Sequence, residues 1–162
     1  MGFEGLSLKG RALRLLAGRE HSRAELERKL SAHETAPGEL AAALDALQAK
    51  GFINDARVVQ SVVHRRAERL GTQRVRSELQ AKGLAPELVA QAVDELRGTE
   101  AERAREVWRR KFGEAARDPR ERAKQMRFLA ARGFSGEVIR RVVMQGAVDS
   151  DVAGGAEGEA DG

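Results

Sequence analysis

The chain contains no cysteine. Disulfide frameworks, zinc–thiolate sites and thiol nucleophiles are therefore excluded. Aromatic residues make up only 4% of it, and β-branched residues are outnumbered by Ala, Leu, Arg and Glu. Sheets are built from branched and aromatic side chains, so this bias points to helix. No apolar run reaches the length of a membrane span, and the opening MGFEGLSLKG lacks the apolar centre of a signal peptide. There is no P-loop, no Rossmann glycine pattern and no G-x-S-x-G elbow. His21, His33 and His64 have no ligand spacing among themselves and read as surface or capping histidines. These absences lead to the expectation of a cytoplasmic binding protein rather than an enzyme, with no cofactor and no metal.

What is present is charge on a helical framework. Of the 162 residues, 41% are hydrophobic and 33% charged, enough for a core beneath a heavily charged surface. The net charge of +4 conceals an asymmetry. Residues 1–145 hold all 29 Lys and Arg but only 20 of the 25 Asp and Glu, a net +9. Asp149, Asp151, Glu157, Glu159 and Asp161 follow in an acidic, Gly-rich tail. A basic body suits a polyanion or an acidic protein surface.

Helix boundaries are marked along the chain. SRAE at Ser22–Glu25, TEAE at Thr99–Glu102 and DPRE at Asp118–Glu121 each set a capping oxygen three residues before a Glu. Pro37, Pro86 and Pro119 suit a first helical turn, and Asn54 and Ser135 are candidate caps. Gly18, Gly51, Gly71, Gly83, Gly98, Gly113, Gly133 and Gly146 read as stops. The marks predict nine helices, at 8–17, 22–33, 37–50, 54–70, 72–82, 86–97, 100–113, 119–132 and 136–145. Residues 1–7 are expected to be flexible. Residues 146–162 have almost nothing to bury and are expected to be disordered.

The nine helices fall into three sets of three. LQAKGLAPELVAQAV at Leu79–Val93 returns fifty residues later as LAARGFSGEVIRRVV. A looser copy, KLSAHETAPGEL, begins at Lys29 without the glycine. Each full copy ends a helix with a basic residue facing the negative end of the helix dipole, then a left-handed Gly, then an apolar residue folding back. KGF at Lys50–Phe52 offers the same device. The expected organisation is all-α, with three tandem three-helix modules at 8–51, 52–98 and 99–145.

RALRLLAGREHSRAELERKL (11–30), KGFINDARVVQSVVHRRAERLGTQRVRSELQAKGL (50–84) and RFLAARGFSGEVIRRVV (127–143), in this order and spacing, resemble the RecX family of regulatory proteins. The resemblance implies an elongated, curved array that docks in the groove of a RecA recombinase filament on single-stranded DNA. It also implies inhibition of filament growth, ATP hydrolysis and strand exchange. One departure stands out. The family pattern G-hydrophobic-hydrophobic-D-D-x-R-[FY] reads GFINDARV here, with Asn54 for the first Asp and Val58 for the aromatic.

Candidate contact residues are arginines. HRRAERLGTQRVR (64–76) holds Arg65, Arg66, Arg69, Arg74 and Arg76 against one acid, Glu68, and Arg57 shares the face opposite the valines of its helix. RAREVWRRKFG adds Arg105, Arg109 and Arg110, with Trp108 and Phe112 turned to a core. Phe128 is expected to pack between modules, and Arg140 and Arg141 to extend the basic surface. Guanidinium groups suit phosphates or carboxylates. The partners expected are the RecA filament and, by direct contact, single-stranded DNA, with the protein a monomer. Two other readings fit short Arg-rich helices: a helix-turn-helix protein reading a DNA sequence, or a helical scaffold for another acidic partner.

Overall fold

The structure, a computed structural model, describes the backbone of residues 5–154 and the side chains of residues 5–146. Among the described residues there are eight α-helices, one 3-10 turn and no strand. The helices are α1 (Leu8–Gly18), α2 (Arg23–Leu30), α3 (Glu39–Ala49), α4 (Asp55–Arg66), α5 (Thr72–Ala81), α6 (Pro86–Lys111), α7 (Pro119–Ala131) and α8 (Gly136–Gly154), with the 3-10 turn at Ser31–His33.

Local chemistry sets most of the starts. The Ser7 hydroxyl accepts from the Gly10 amide at 3.1 Å and opens α1. Ser22 and Glu25 form a reciprocal capping box on α2, each side chain accepting from the other's amide at 3.1 Å. Asp118 accepts from the Glu121 amide at 2.8 Å, with Pro119 in the first turn of α7. Asn54 and Ser135 accept from the amides of Arg57 and Val138, so Asn54 does the capping work of an Asp.

The duplicated stretch is a helix-ending turn. Gly83 and Gly133 adopt left-handed φ values of 68° and 89°, and Leu84 and Phe134 behind them are buried. Gly51 turns the chain in the same way (φ 82°), and the Phe52 amide donates to the Leu47 carbonyl at 3.0 Å. The residue that returns to the core there is not Phe52, which is 47% exposed, but Ile53, which joins an aliphatic cluster. The glycine-free first copy is closed by the 3-10 turn. A left-handed Gly38 then precedes α3, so Pro37 sits in the turn before the helix rather than in its first turn.

The chain divides into two compact units. The first runs to His64 and includes Ser77–Ala92; the second takes Arg65–Arg76 and the chain from Val93 onward. In the first, α1, α2 and α3 pack around Ala12, Leu26, Leu30, Leu40, Leu44 and Leu47. Burying each leucine contributes about 1.5–3 kcal/mol. Val58 is 1% exposed, so the position where the family pattern has a ring is a core position in this chain. In the second unit α7 packs on α8, and Ala104, Val107, Trp108, Leu129, Phe134, Ile139, Val142 and Val143 form the core.

Three expected helix boundaries are overturned. Helices 86–97 and 100–113 are one helix of 26 residues, α6. Its buried positions, Val89, Ala92, Val93, Leu96, Glu100, Ala104, Val107 and Trp108, keep helical spacing straight through Gly98. Continuous burial of that stripe outweighs the ~1 kcal/mol by which an interior glycine disfavours helix. Thr99 is consequently no cap, and its hydroxyl donates to the Leu96 carbonyl. Second, α4 ends at Arg66, not at residue 70. Third, α8 continues past Gly146 to Gly154, into the stretch expected to be disordered. Gly146 is an interior contact rather than a stop: a Cβ there would lie 2.6 Å from the Trp108 ring. Residues 1–4 and 155–162 of the expected flexible ends lie outside the described residues.

His21 is buried rather than superficial. Its Nδ1 lies 3.0 Å from the Arg19 carbonyl and its Nε2 3.2 Å from the Lys29 ammonium. Burial pushes its pKa down, and the Arg19 and Lys29 charges add to that, against the Arg19 carbonyl bond.

Candidate functional site

The cations of the second unit are placed by helix ends. The last turn of α6 carries Arg109, Arg110 and Lys111 where the helix dipole is negative. Arg132 is the C-cap of α7, and Arg69 lies in the turn that follows α4. That turn is pinned by one half-buried guanidinium. Arg103 donates to the carbonyls of Ala67 (3.0 Å), Leu70 (2.7 Å) and Leu96 (2.9 Å), and to the Thr72 hydroxyl (3.2 Å). Burial presses the Arg103 pKa down, with the Glu100 carboxylate opposing the shift. Glu100, itself buried, accepts from the Thr72 amide at 3.1 Å and so caps α5. These carbonyls explain why α4 stops at Arg66. Arg103 satisfies the orphaned end groups of a turn that a longer helix would have absorbed.

Within this frame Arg69, Arg110, Lys111 and Arg132 converge on a concavity of about 230 Å³ that also meets Glu68, Val107 and Phe128. The Phe128 ring is its aromatic wall. The Arg132 guanidinium lies 4.7 Å from the ring centroid and the Lys111 ammonium 5.5 Å from it. Phe112 meets the ring edge-on, centroids 5.4 Å apart and planes at 84°. The edge contact fixes the plane of Phe128, and the cations are attracted by the ring's quadrupole. Arg110 is steadied by donating to the Glu68 carbonyl at 3.2 Å. Four cations at one concavity suit an anion such as phosphate, for which arginine supplies forked donors.

The nine arginines expected to make contacts are not equivalent. Arg69 and Arg110 meet at this concavity. Arg65 and Arg66 are exposed at the end of α4. Arg74 is exposed but occupied, donating to the Ala131 carbonyl at 2.9 Å. Arg76 is half-buried, and its Nε is buried without a hydrogen-bond partner. Arg105 is bonded to Gln145, and Arg109 to Glu106 at 2.6 Å. Arg57 belongs to the first unit, where it pairs with Glu20 and donates to the carbonyls of Gly51 and Phe52. Arg141 is exposed and pairs with Glu137 at 3.5 Å. Trp108 is core, as expected, and donates to the Gln125 side-chain oxygen at 2.9 Å.

Sequence reasoning did not single out Lys111 and Arg132, which line this concavity, or the half-buried Arg103. A signal for Arg132 existed: it holds the same place in the repeat as Lys82, the basic residue before the turn glycine. Among the described residues no group of three or more His, Asp or Glu is placed to hold a metal ion, and no helix is long and apolar enough to cross a membrane.

Short helices joined by tight turns, with cations gathered beside an aromatic ring, define a helical protein whose surface is suited to binding an anionic partner. Family models for the first, second and third three-helix domains of RecX match residues 9–47, 54–93 and 99–143. The chain is 59% identical over 138 residues to the regulatory protein RecX of Leptothrix cholodnii, spanning 85% of this chain and 88% of that one. It is 47% identical over 142 residues to its counterpart in Ralstonia nicotianae, spanning 88% and 89%. The fold matches the crystal structure of RecX from Lactobacillus salivarius with a TM-score of 0.73 at 18% identity, over 87% of this chain and 95% of that one. The chain belongs to the RecX family of regulatory proteins. It is all-α, built from the family's three tandem three-helix domains.

Proposed function

We propose that this protein docks on the filament that RecA recombinase forms on single-stranded DNA and restrains filament growth, ATP hydrolysis and strand exchange. In this reading it acts in the cytoplasm as a monomer without a cofactor. Family membership supports the partner. The structural observation that carries the reading is the meeting of Arg69, Arg110, Lys111 and Arg132 around the Phe128 ring. Phosphate contacts of arginine and lysine provide sequence-independent affinity that falls as salt rises. Arg65, Arg66, Arg105 and Arg109 are exposed in the same unit.

The test is DNA-dependent ATP hydrolysis by RecA, titrated with this protein and with an Arg69→Ala, Arg110→Ala, Arg132→Ala triple variant. Wild type is expected to suppress hydrolysis and the variant to need a higher concentration for the same effect. Undiminished inhibition by the variant, with unchanged salt dependence, would remove this surface from the mechanism. No inhibition by wild type would remove the reading itself.

A further inference from the structure

Most cations of the second unit are held by a carboxylate or by hydrogen bonds. Arg109 is paired with Glu106, Arg105 is bonded to Gln145, and Arg103 and Arg110 donate to carbonyls. Lys111 and Arg132 differ. Among the described residues neither makes a side-chain hydrogen bond or an ion pair. Glu68, the acid in the lining of the concavity, pairs with neither of them. What both head groups meet is the Phe128 ring, Arg132 at 4.7 Å from its centroid and Lys111 at 5.5 Å.

A ring holds a cation in a way that a carboxylate cannot. Its electron-rich face attracts the charge without neutralising it, so the head group keeps that charge for an incoming anion. Lys111 and Arg132 stand at the ends of α6 and α7 on long, rotatable stems. Ordering such stems at the moment of binding weakens affinity, and ordering them beforehand removes that cost. Two like charges on one ring also repel each other; the ring offsets this, and an anion between them would relieve it. Phe112, packed edge-on to Phe128 with planes at 84°, keeps the ring in one orientation. A nucleobase stacking on the face that Arg132 covers would have to displace that guanidinium, which argues against the ring as a platform for bases.

We propose that Phe128 is a positioning residue: its ring presets the Lys111 and Arg132 head groups for phosphate oxygens and does not itself touch the ligand. The proposal deepens the filament reading and rests on it for the identity of the anion, the phosphates of single-stranded DNA.

The experiment replaces Phe128, in the full chain, with phenylalanine carrying one, two or three ring fluorines. Fluorine drains electron density from the ring face and leaves the shape of the side chain almost unchanged. Fluorescence anisotropy reads binding of fluorescein-labelled oligo-dT and of an abasic oligonucleotide of the same length, and thermal melts show that each variant remains folded. Affinity for both probes is expected to fall stepwise with fluorine number, by about threefold or more at three fluorines. Phe128→Tyr, which keeps an electron-rich ring, is expected to bind like wild type, and Phe128→Leu to bind more weakly. In NMR spectra the Arg132 Nε–H proton is expected upfield in wild type, shielded by the ring, and to lose that shift in Phe128→Leu. Constant affinity across the fluorinated series, a loss confined to oligo-dT, an Arg132 signal unmoved in Phe128→Leu, or no binding of either probe by wild type would each overturn the proposal. A loss confined to oligo-dT would make the ring a base-stacking face instead. Failure here is separable from failure of the filament reading. RecA inhibition with constant affinity across the series sinks only this inference, and a graded series without RecA inhibition sinks only the filament reading.

Discussion

A Cβ placed on Gly71 would lie 2.3 Å from the carbonyl carbon of Gly133. The two backbones approach so closely that the Gly71 amide donates to the Arg132 carbonyl at 2.7 Å, and the Gln73 amide to the Gly133 carbonyl at 3.3 Å. The start of α5 is thereby tied to the turn that ends α7. The first unit contains a counterpart. The Ser22 hydroxyl and the Arg28 guanidinium at α2 donate to the carbonyls of Lys82 and Ala81, and a Cβ on Gly83 would lie 2.6 Å from that of Ala24. The duplicated turn both ends a helix and receives the start of another.

Gly71→Ala forces backbone apart, because the atoms it meets belong to the chain and not to the end of a flexible side chain. We expect a loss of at least about 2 kcal/mol, read as an earlier midpoint in urea unfolding. A midpoint equal to wild type would show that this approach contributes nothing to stability.

Arg103→Lys retains a charge but not the fork that reaches three carbonyls and a hydroxyl. Lysine presents a compact ammonium, so at least two acceptors lose their partner. The expected destabilisation is about 2–3 kcal/mol, measured by thermal melting. Faster hydrogen exchange in the amides of residues 67–72 should accompany it.

Arg74 separates architecture from contact. Its guanidinium closes on the Ala131 carbonyl, and its stem lies over Gly133. Arg74→Ala should therefore cost about 1 kcal/mol of stability. Arg69→Ala, at the concavity, should melt close to wild type and weaken filament inhibition instead. Matched melting curves for the two variants would contradict this division.

Glu25 gives a pH dependence of known sign. Burial would raise its pKa, but the Arg19 guanidinium, the Ser22 amide and the Lys82 ammonium together hold it down, from 4.5 to about 2. A carboxylate depressed in the folded state stabilises above its unfolded pKa, and that stability disappears as pH falls through the folded one. The contribution should be intact above about pH 4.5 and lost toward pH 2, on the order of 3 kcal/mol in all. Glu25→Gln should be less stable than wild type at neutral pH and should lose less between pH 5 and about pH 2. Parallel unfolding curves across that range would rule the linkage out.

Gly146 faces the only Trp in the chain. Gly146→Val should displace the Trp108 ring, whose Nε1 donates to Gln125, and shift its fluorescence to the red with lowered stability. Emission identical to wild type would show that the side chain is accommodated without moving the ring.

Much of the helix pattern was legible because its determinants are local. Ser22 with Glu25, Asp118 with Pro119, and the left-handed glycines at 83 and 133 act within one turn of chain, so type and spacing suffice to read them. The arginine site was legible only in part. Arg69 and Arg110 were visible as members of basic runs, whereas Lys111 and Arg132 join them through tertiary packing around Phe128. Arg57 and Arg74 looked like their neighbours in sequence, but their guanidinium groups are engaged in holding the fold.

The sequence alone determined an all-helical chain, the turn chemistry of its repeats and the positive character of its body, since propensity, capping and charge are properties of short stretches. Tertiary structure decided whether a glycine ends a helix, as at Gly133, or is overrun, as at Gly98 and Gly146. It also decided which arginines face outward. Both choices turn on burial and on which carbonyls lack a partner, and those depend on residues far away in the chain, whose energies exceed the ~1 kcal/mol scale of local preference.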